Sequence, residues 1–197
     1  MTTMPSNLID FAPLAAEEAV QRLLAQRWAG LYDLSGGAVW WAPTAIDELG
    51  NEHAGTVDCS GLIAWAYKYR RRQWNCNEIL GDARGPQRRW MLVHRGERVR
   101  PGDVIVHAGP DLDHDGVPDA NGHGHIGGIA TVDERFEHLL TDYELLGVVH
   151  SSGALQLHVD PTDPLHRKYG TTRLTNAAPW HLNGYVVRAR HVVYAAA

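Results

Sequence analysis

The stretch Val57-Asp58-Cys59-Ser60-Gly61-Leu62-Ile63 is where the reading of this chain begins. From residue 59 to about residue 72, Leu62, Ile63, Trp65, Ala66 and Tyr69 recur at helical spacing, which predicts a helix with one apolar face. Asp58 stands before it as an N-cap, and Lys68, Arg70, Arg71 and Arg72 fall in the last turn, where the helix dipole favours cations. A cysteine in the first turn meets partial positive charge and free N–H groups, and both favour thiolate over thiol. The same N–H groups are placed to receive the oxyanion of a carbonyl attacked by that sulfur. Gly61 lets another backbone come close to the helix start. The competing reading of Cys59 is a buried cysteine that fills space, a common fate of free thiols.

Upstream, Leu14, Ala15, Ala19, Val20, Leu23, Leu24, Trp28 and Leu31 predict a helix over 14–32, with Glu17 and Glu18 in its first turn and Gly30, Gly36 and Gly37 ending it. Residues 38–41 read as a short strand or part of a cleft wall. After about residue 100 the pattern changes to alternation. Arg100-Pro101-Gly102 is a turn, and strands are expected at 103–107, 126–132, 145–150, 155–159 and 185–194. A short helix is expected over 134–140, and 160–183, with three prolines, reads as a long loop. Helices first and a mostly antiparallel meander second make an α+β arrangement.

The 197 residues fit one domain at about 100–200 residues per domain, with 1–37 as an N-terminal helical segment and 109–122 as an acidic insertion. The apolar share of 44% and charged share of 21% are those of a globular chain. No run approaches the roughly 18 apolar residues of a membrane span. A net charge of -5 argues against a general nucleic-acid binder. All but Lys68 and Lys168 of the 18 cationic residues are Arg, which fits a GC-rich genome. Residues 68–100 hold ten Lys or Arg against three acids, and 101–145 hold one Arg against ten acids. This is either a basic face beside an acidic insertion or a basic groove for an anionic polymer. Cys59 and Cys76 are too few for a disulfide framework and are expected as free thiols.

Two of the 12 histidines sit where a cysteine nucleophile would use them. His125 opens the strand His125-Ile126-Gly127-Gly128-Ile129, and His150 closes the next, Val148-Val149-His150. In neighbouring antiparallel strands they would lie side by side on one face, one imidazole pairing with the thiolate and the other orienting the first. His53, His94, His107, His138, His166, His181 and His191 are scattered and read as surface or packing residues; no HxxxH or CxxC spacing points to zinc.

These blocks carry a family resemblance. Asp58-Cys59-Ser60-Gly61-Leu62-Ile63, Arg100-Pro101-Gly102-Asp103-Val104-Ile105, His125-Ile126-Gly127-Gly128-Ile129 and Val149-His150-Ser151-Ser152 resemble, in that order, the NlpC-type cysteine peptidases of bacterial cell walls, over residues 38–159. The resemblance implies a papain-like α+β fold, with N-terminal helices and the catalytic cysteine at a helix start packed on a mostly antiparallel sheet. It implies hydrolysis of amide bonds in peptidoglycan stem peptides, with no cofactor for catalysis. On this resemblance Cys59 matches the nucleophile, His125 the general base and His150 the residue that orients it. Asp58 and Ser60 match positions that hold the free amine of the stem peptide in some members. The interval from His125 to His150 is longer than the family's, through an insertion at 131–147, and His123 and His158 are the alternatives for the third position. Tyr32 is the nearest candidate for the tyrosine that often lies upstream of the cysteine.

The acidic insertion has a pattern of its own. Asp111, Asp113, Asp115, Val117 and Asp119 occupy positions 1, 3, 5, 7 and 9 of a calcium-type loop with Gly116 at position 6, while Gly122 stands where the acid of position 12 belongs. Closely packed carboxylates repel one another, and a structural Ca2+ relieves that repulsion; a solvated acidic loop is the plainer alternative.

The N-terminus lacks the basic and apolar regions of a signal peptide, so synthesis in the cytoplasm is expected. Delivery to the cell wall would then follow lysis, injection or a virion, as for a phage endolysin, a tail-associated peptidase or a bacteriolytic effector. The partners expected are stem peptides together with phage structural proteins or an immunity protein, without nucleic acid or membrane insertion. Two rival readings are a Cys-His acyltransferase or deamidase on another substrate, and a non-catalytic calcium-dependent binding module of the same fold.

Overall fold

The computed structural model describes residues 13–26, 44–46, 52–54, 59–69, 76–85, 89–94, 96–107, 124–137, 142–152, 171–178 and 184–195. In chain order the elements are β1 (Leu14–Ala15), α1 (Ala16–Gln26), β2 (Thr44–Ile46), β3 (Glu52–Ala54), α2 (Cys59–Ala66), α3 (Cys76–Arg84), β4 (Trp90–Leu92), β5 (Val104–His107) and β6 (His125–Val132). After a 3-10 turn at Tyr143–Leu145 follow β7 (Leu146–Ser152), β8 (Thr171–Asn176), β9 (Gly184–Ala189) and β10 (Val192–Val193). The main sheet has six strands in the order β4-β9-β5-β6-β7-β8, every neighbouring pair antiparallel. Helices packed on a mostly antiparallel sheet make the protein α+β, as expected.

Each face of the sheet carries its own apolar cluster. Ile126, Val104, Val106, Val149 and Val187 pack with α1, α2 and α3, whereas Ile105, Ile129, Val148, Leu146 and Val186 form a second cluster with Tyr143 and Val99. The alternation of these residues along β5, β6, β7 and β9 is the period of two that strands impose. α1 buries Ala16, Ala19, Val20 and Leu23 and leaves Glu17, Glu18 and Gln21 exposed. α2 differs: Ser60 through Ala66 are all buried, as in a helix enclosed on every side. It packs on α1, β6 and β7, which holds its first residue close to the sheet.

Several expectations are corrected. The first helix begins at Ala16, because Leu14 and Ala15 pair in parallel with Val192 and Val193 and the Leu14 N–H is bonded to His191 O at 2.9 Å. The second ends at Ala66, not near 72. Lys68 takes φ 57, and the Lys68 and Tyr69 N–H groups turn back to Trp65 O (3.2 Å) and Ala64 O (2.9 Å), which closes the helix with a lysine where glycine is usual. α3 and β4 are additional elements. β8 lies inside the segment read as a loop over 160–183, and the strand expected at 185–194 is broken into β9 and β10 by a turn at Arg190 and His191. Of the helix expected over 134–140, Glu134 and Arg135 form a turn and residues 136–137 are not helical, while 138–140 lie outside the described residues; a helical turn comes later, at Tyr143–Leu145. The expected elements at 27–32, 38–41 and 155–159 lie outside the described residues, as do Gly30, Gly36 and Gly37.

Candidate active site

Cys59 is the first residue of α2 and is half-buried. Its sulfur accepts hydrogen bonds from the Cys76 thiol, the His125 ring and the Ile126 backbone N–H. The Cys76 bond is the largest cause holding the Cys59 pKa well below that of an ordinary thiol; the bond and charge of His125 act in the same direction, against burial, which opposes the charge. Cys76 itself is buried at the start of α3, and both cysteines are free thiols.

Strand register positions the imidazoles. β5 and β6 pair His107 with His125, and β6 and β7 pair Gly128 with Val149. A Cβ at Gly128 would run into Leu23 of α1, whereas one at Gly127 would run into Val148 and His150. His125, Gly127 and His150 therefore share the sheet face turned away from α1. Cys59, carried by α2, meets the start of β6, where the His125 ring and the Ile126 N–H are both within its reach.

His125 Nε2 lies 2.8 Å from His150 Nδ1, with the rings edge-on and their centroids 4.9 Å apart. This leaves His125 Nδ1 for the sulfur. On its far side His150 Nε2 is 3.0 Å from Thr175 Oγ1. His150 is 9% exposed, and burial first, the neighbouring His125 second, lower its pKa to about 4. It is thus a neutral imidazole at neutral pH. His107, read as a packing residue, stands directly opposite His125 and is half-buried, with its pKa lowered by burial and by His125.

The structure thus brings Cys59, His125 and His150 together. The insertion at 131–147 extends β6, turns at Asp133–Arg135 and joins β7 after the 3-10 turn at Tyr143–Leu145; the β6–β7 register shifts once, between Ile129 and Thr131, while Gly128 still pairs with Val149 beside His150. Ser60 follows Cys59 on α2 and is buried. Asp58, His123, His158 and Tyr32 lie outside the described residues, and so do Asp111, Asp113, Asp115, Val117 and Asp119. Among the described residues no group of three or more His, Cys, Asp or Glu side chains could hold a metal ion. Cys76 and Thr175 join the site without a sequence signal, since their nearness depends on how α3 docks and how β8 registers.

A sulfur whose pKa is lowered beside an imidazole, with a second neutral imidazole behind it, is equipped for nucleophilic attack on an acyl carbon and for proton transfer to a leaving group. No family model matches the chain, and a search of the curated proteins finds no match. Among solved structures the chain is similar to NlpC1 from Trichomonas vaginalis, at 18% identity over 91% of this chain and 45% of that one, with a TM-score of 0.45. This chain therefore spans less than half the length of that protein.

Proposed function

We propose that the protein is a papain-like cysteine hydrolase that cleaves amide bonds in peptidoglycan stem peptides. The observation that supports this most is the bonded series from the Cys59 sulfur to the His125 ring and, at 2.8 Å, to His150 Nδ1. In this mechanism the Cys59 thiolate attacks the scissile carbonyl carbon and forms an S–C bond. Backbone N–H groups at the start of α2 receive the oxyanion. His125 gives its Nδ1 proton to the leaving amine as the C–N bond breaks. It then takes a proton from water, which attacks the thioester, breaks the S–C bond and frees Cys59. His150, neutral and buried, accepts the Nε2–H of His125 and holds the ring in place. Asp58 and Ser60 are assigned to the free amine of the stem peptide.

The deciding experiment digests purified peptidoglycan with wild type and Cys59→Ala and resolves the muropeptides by mass spectrometry. New amines or shortened stems from wild type alone are expected. Alkylation of Cys59 by iodoacetamide without any muropeptide change would instead favour an acyltransferase or deamidase. An unchanged biological effect in Cys59→Ala would favour a non-catalytic module. The roles of phage endolysin, tail-associated peptidase or injected effector, and partnership with phage structural proteins or an immunity protein, remain part of this proposal. So does a structural Ca2+ on Asp111, Asp113, Asp115, Val117 and Asp119. For the ion, the expected result is a rise in thermal midpoint with added calcium that a chelator reverses, and no calcium response would remove it.

A further inference from the structure

We propose that Thr175 is a positioning residue of this site, whose hydroxyl sets the direction of the hydrogen bonds running from β8 to Cys59. The role rests on the hydrolase reading above, because it concerns how His125 is kept ready to take a proton on Nδ1.

A hydroxyl has one proton to donate and two lone pairs with which to accept. Asn176 O, 3.2 Å from Thr175 Oγ1, can only accept; with the hydroxyl proton directed there, Oγ1 is left to accept from His150 Nε2, 3.0 Å away. His150 then carries its proton on Nε2, and its Nδ1 is bare. The bare Nδ1 faces His125 Nε2 at 2.8 Å and requires the proton of that contact to sit on His125. Neutral His125 consequently has a bare Nδ1 toward the sulfur, the form that a general base needs. Protonated His125 makes the same bond to His150 and keeps its second proton for the thiolate.

The opposite direction disables the site. If position 175 donated to His150 Nε2, His150 would carry its proton on Nδ1 and aim it at His125 Nε2. Neutral His125 would then hold its own proton on Nδ1 and could accept nothing there. The backbone fixes where the hydroxyl sits. Thr175 pairs with Val148 across β7 and β8, on the face that His150 shares, and a threonine on a strand has few χ1 choices. The neutral state of buried His150 agrees with its role as acceptor from His125.

The test compares Thr175→Val, of similar shape without the hydroxyl, with Thr175→Ser, which keeps it, and with Thr175→Ala as a second deletion should Val not fold. Two-bond 15N–1H spectra report which nitrogen of each imidazole is protonated and need no substrate. Wild type and Ser should show His150 as the Nε2–H form, while Val and Ala should show a mixture. On peptidoglycan, kcat should fall about tenfold in Val at an unchanged KM, and Ser should recover it. A Val or Ala variant that keeps the single Nε2–H form, or a Ser variant that behaves like Val, overturns the proposal. If wild type leaves peptidoglycan intact, the hydrolase reading fails, and the spectra still decide the role of Thr175.

Discussion

Gly127 of β6 lies beneath His150 of β7 so closely that a Cβ added there would stand 3.0 Å from His150 Cβ and 3.1 Å from Val149 O, and would strike Val148. The close approach of the two imidazoles depends on this missing side chain. Gly127→Ala should push β7 away from β6 or turn His150 off His125. Overpacking of this kind costs roughly 1–3 kcal/mol. Thermal unfolding checks that loss, and the alkylation rate of Cys59 at neutral pH should fall with it. An Ala variant with wild-type stability and wild-type alkylation would show that the strands yield freely here.

The hydrogen bond from the Cys76 thiol is the first of the interactions that hold the Cys59 pKa down. Removing that donor makes the charged sulfur less favourable, so its pKa rises and the acid limb of any thiolate-dependent rate moves to higher pH. For Cys76→Ala the limb is expected to move to higher pH, because a hydrogen bond to the charged sulfur is lost. Cys76→Ser keeps a donor and should move the limb less. The pH dependence of iodoacetamide labelling, followed on the Cys59 peptide by mass spectrometry, measures both.

His150 makes stability depend on pH in a definite sense. Its pKa in the folded protein is lowered to about 4 from 6.5. Between those values the unfolded chain binds the proton and the folded chain does not, so its contribution is intact above about 6.5, shrinks as pH falls, and is gone near 4. The size is on the order of 2–3 kcal/mol. Chemical denaturation of wild type and His150→Gln at several pH values tests this. The gap between the two should narrow toward pH 4, whereas a constant gap would mean that His150 is not held neutral by the fold.

How much of this was legible in the sequence depends on how local the signal is. Cys59 sits on a helix start that its own neighbours announce, and His125 and His150 sit on strands whose alternation predicts their shared face. The helix end at Ala66 was not legible, because Lys68 takes the left-handed conformation without the glycine that advertises it. β8 is an edge strand, Thr171-Thr172-Arg173-Leu174-Thr175-Asn176, whose one large apolar residue, Leu174, is itself 38% exposed; nothing in it alternates toward a core. α3 offers only Ile79 and Leu80 to the core beyond Cys76, too little over nine residues to reveal a period beside an arginine-rich run. Cys76 and Thr175 were hidden for that reason: each belongs to an element that becomes visible only once packed.

Asp103, in the Pro101-Gly102-Asp103 turn, ties that block to the strands around the site. It is fully buried, and its carboxylate receives Arg188 Nε at 2.7 Å and Nη2 at 2.8 Å, the Tyr194 hydroxyl at 2.7 Å and the Arg100 N–H at 2.9 Å. Its own backbone O takes the Ile129 N–H at 2.8 Å, so one residue ties the turn before β5 to β6, to β9 and to the segment after β10. The two-pronged bond to Asp103 raises the Arg188 guanidinium pKa. Asp103→Ala would leave Arg188, whose side chain is 17% exposed, without its carboxylate. Breaking such a pair by removing one partner costs about 3–5 kcal/mol. Denaturant unfolding should show a loss of that order, with part recovered by Asp103→Asn, which keeps one acceptor oxygen of the two. A loss below about 1 kcal/mol, the level of an exposed pair, would mean that the Asp103 cluster does not hold these strands together.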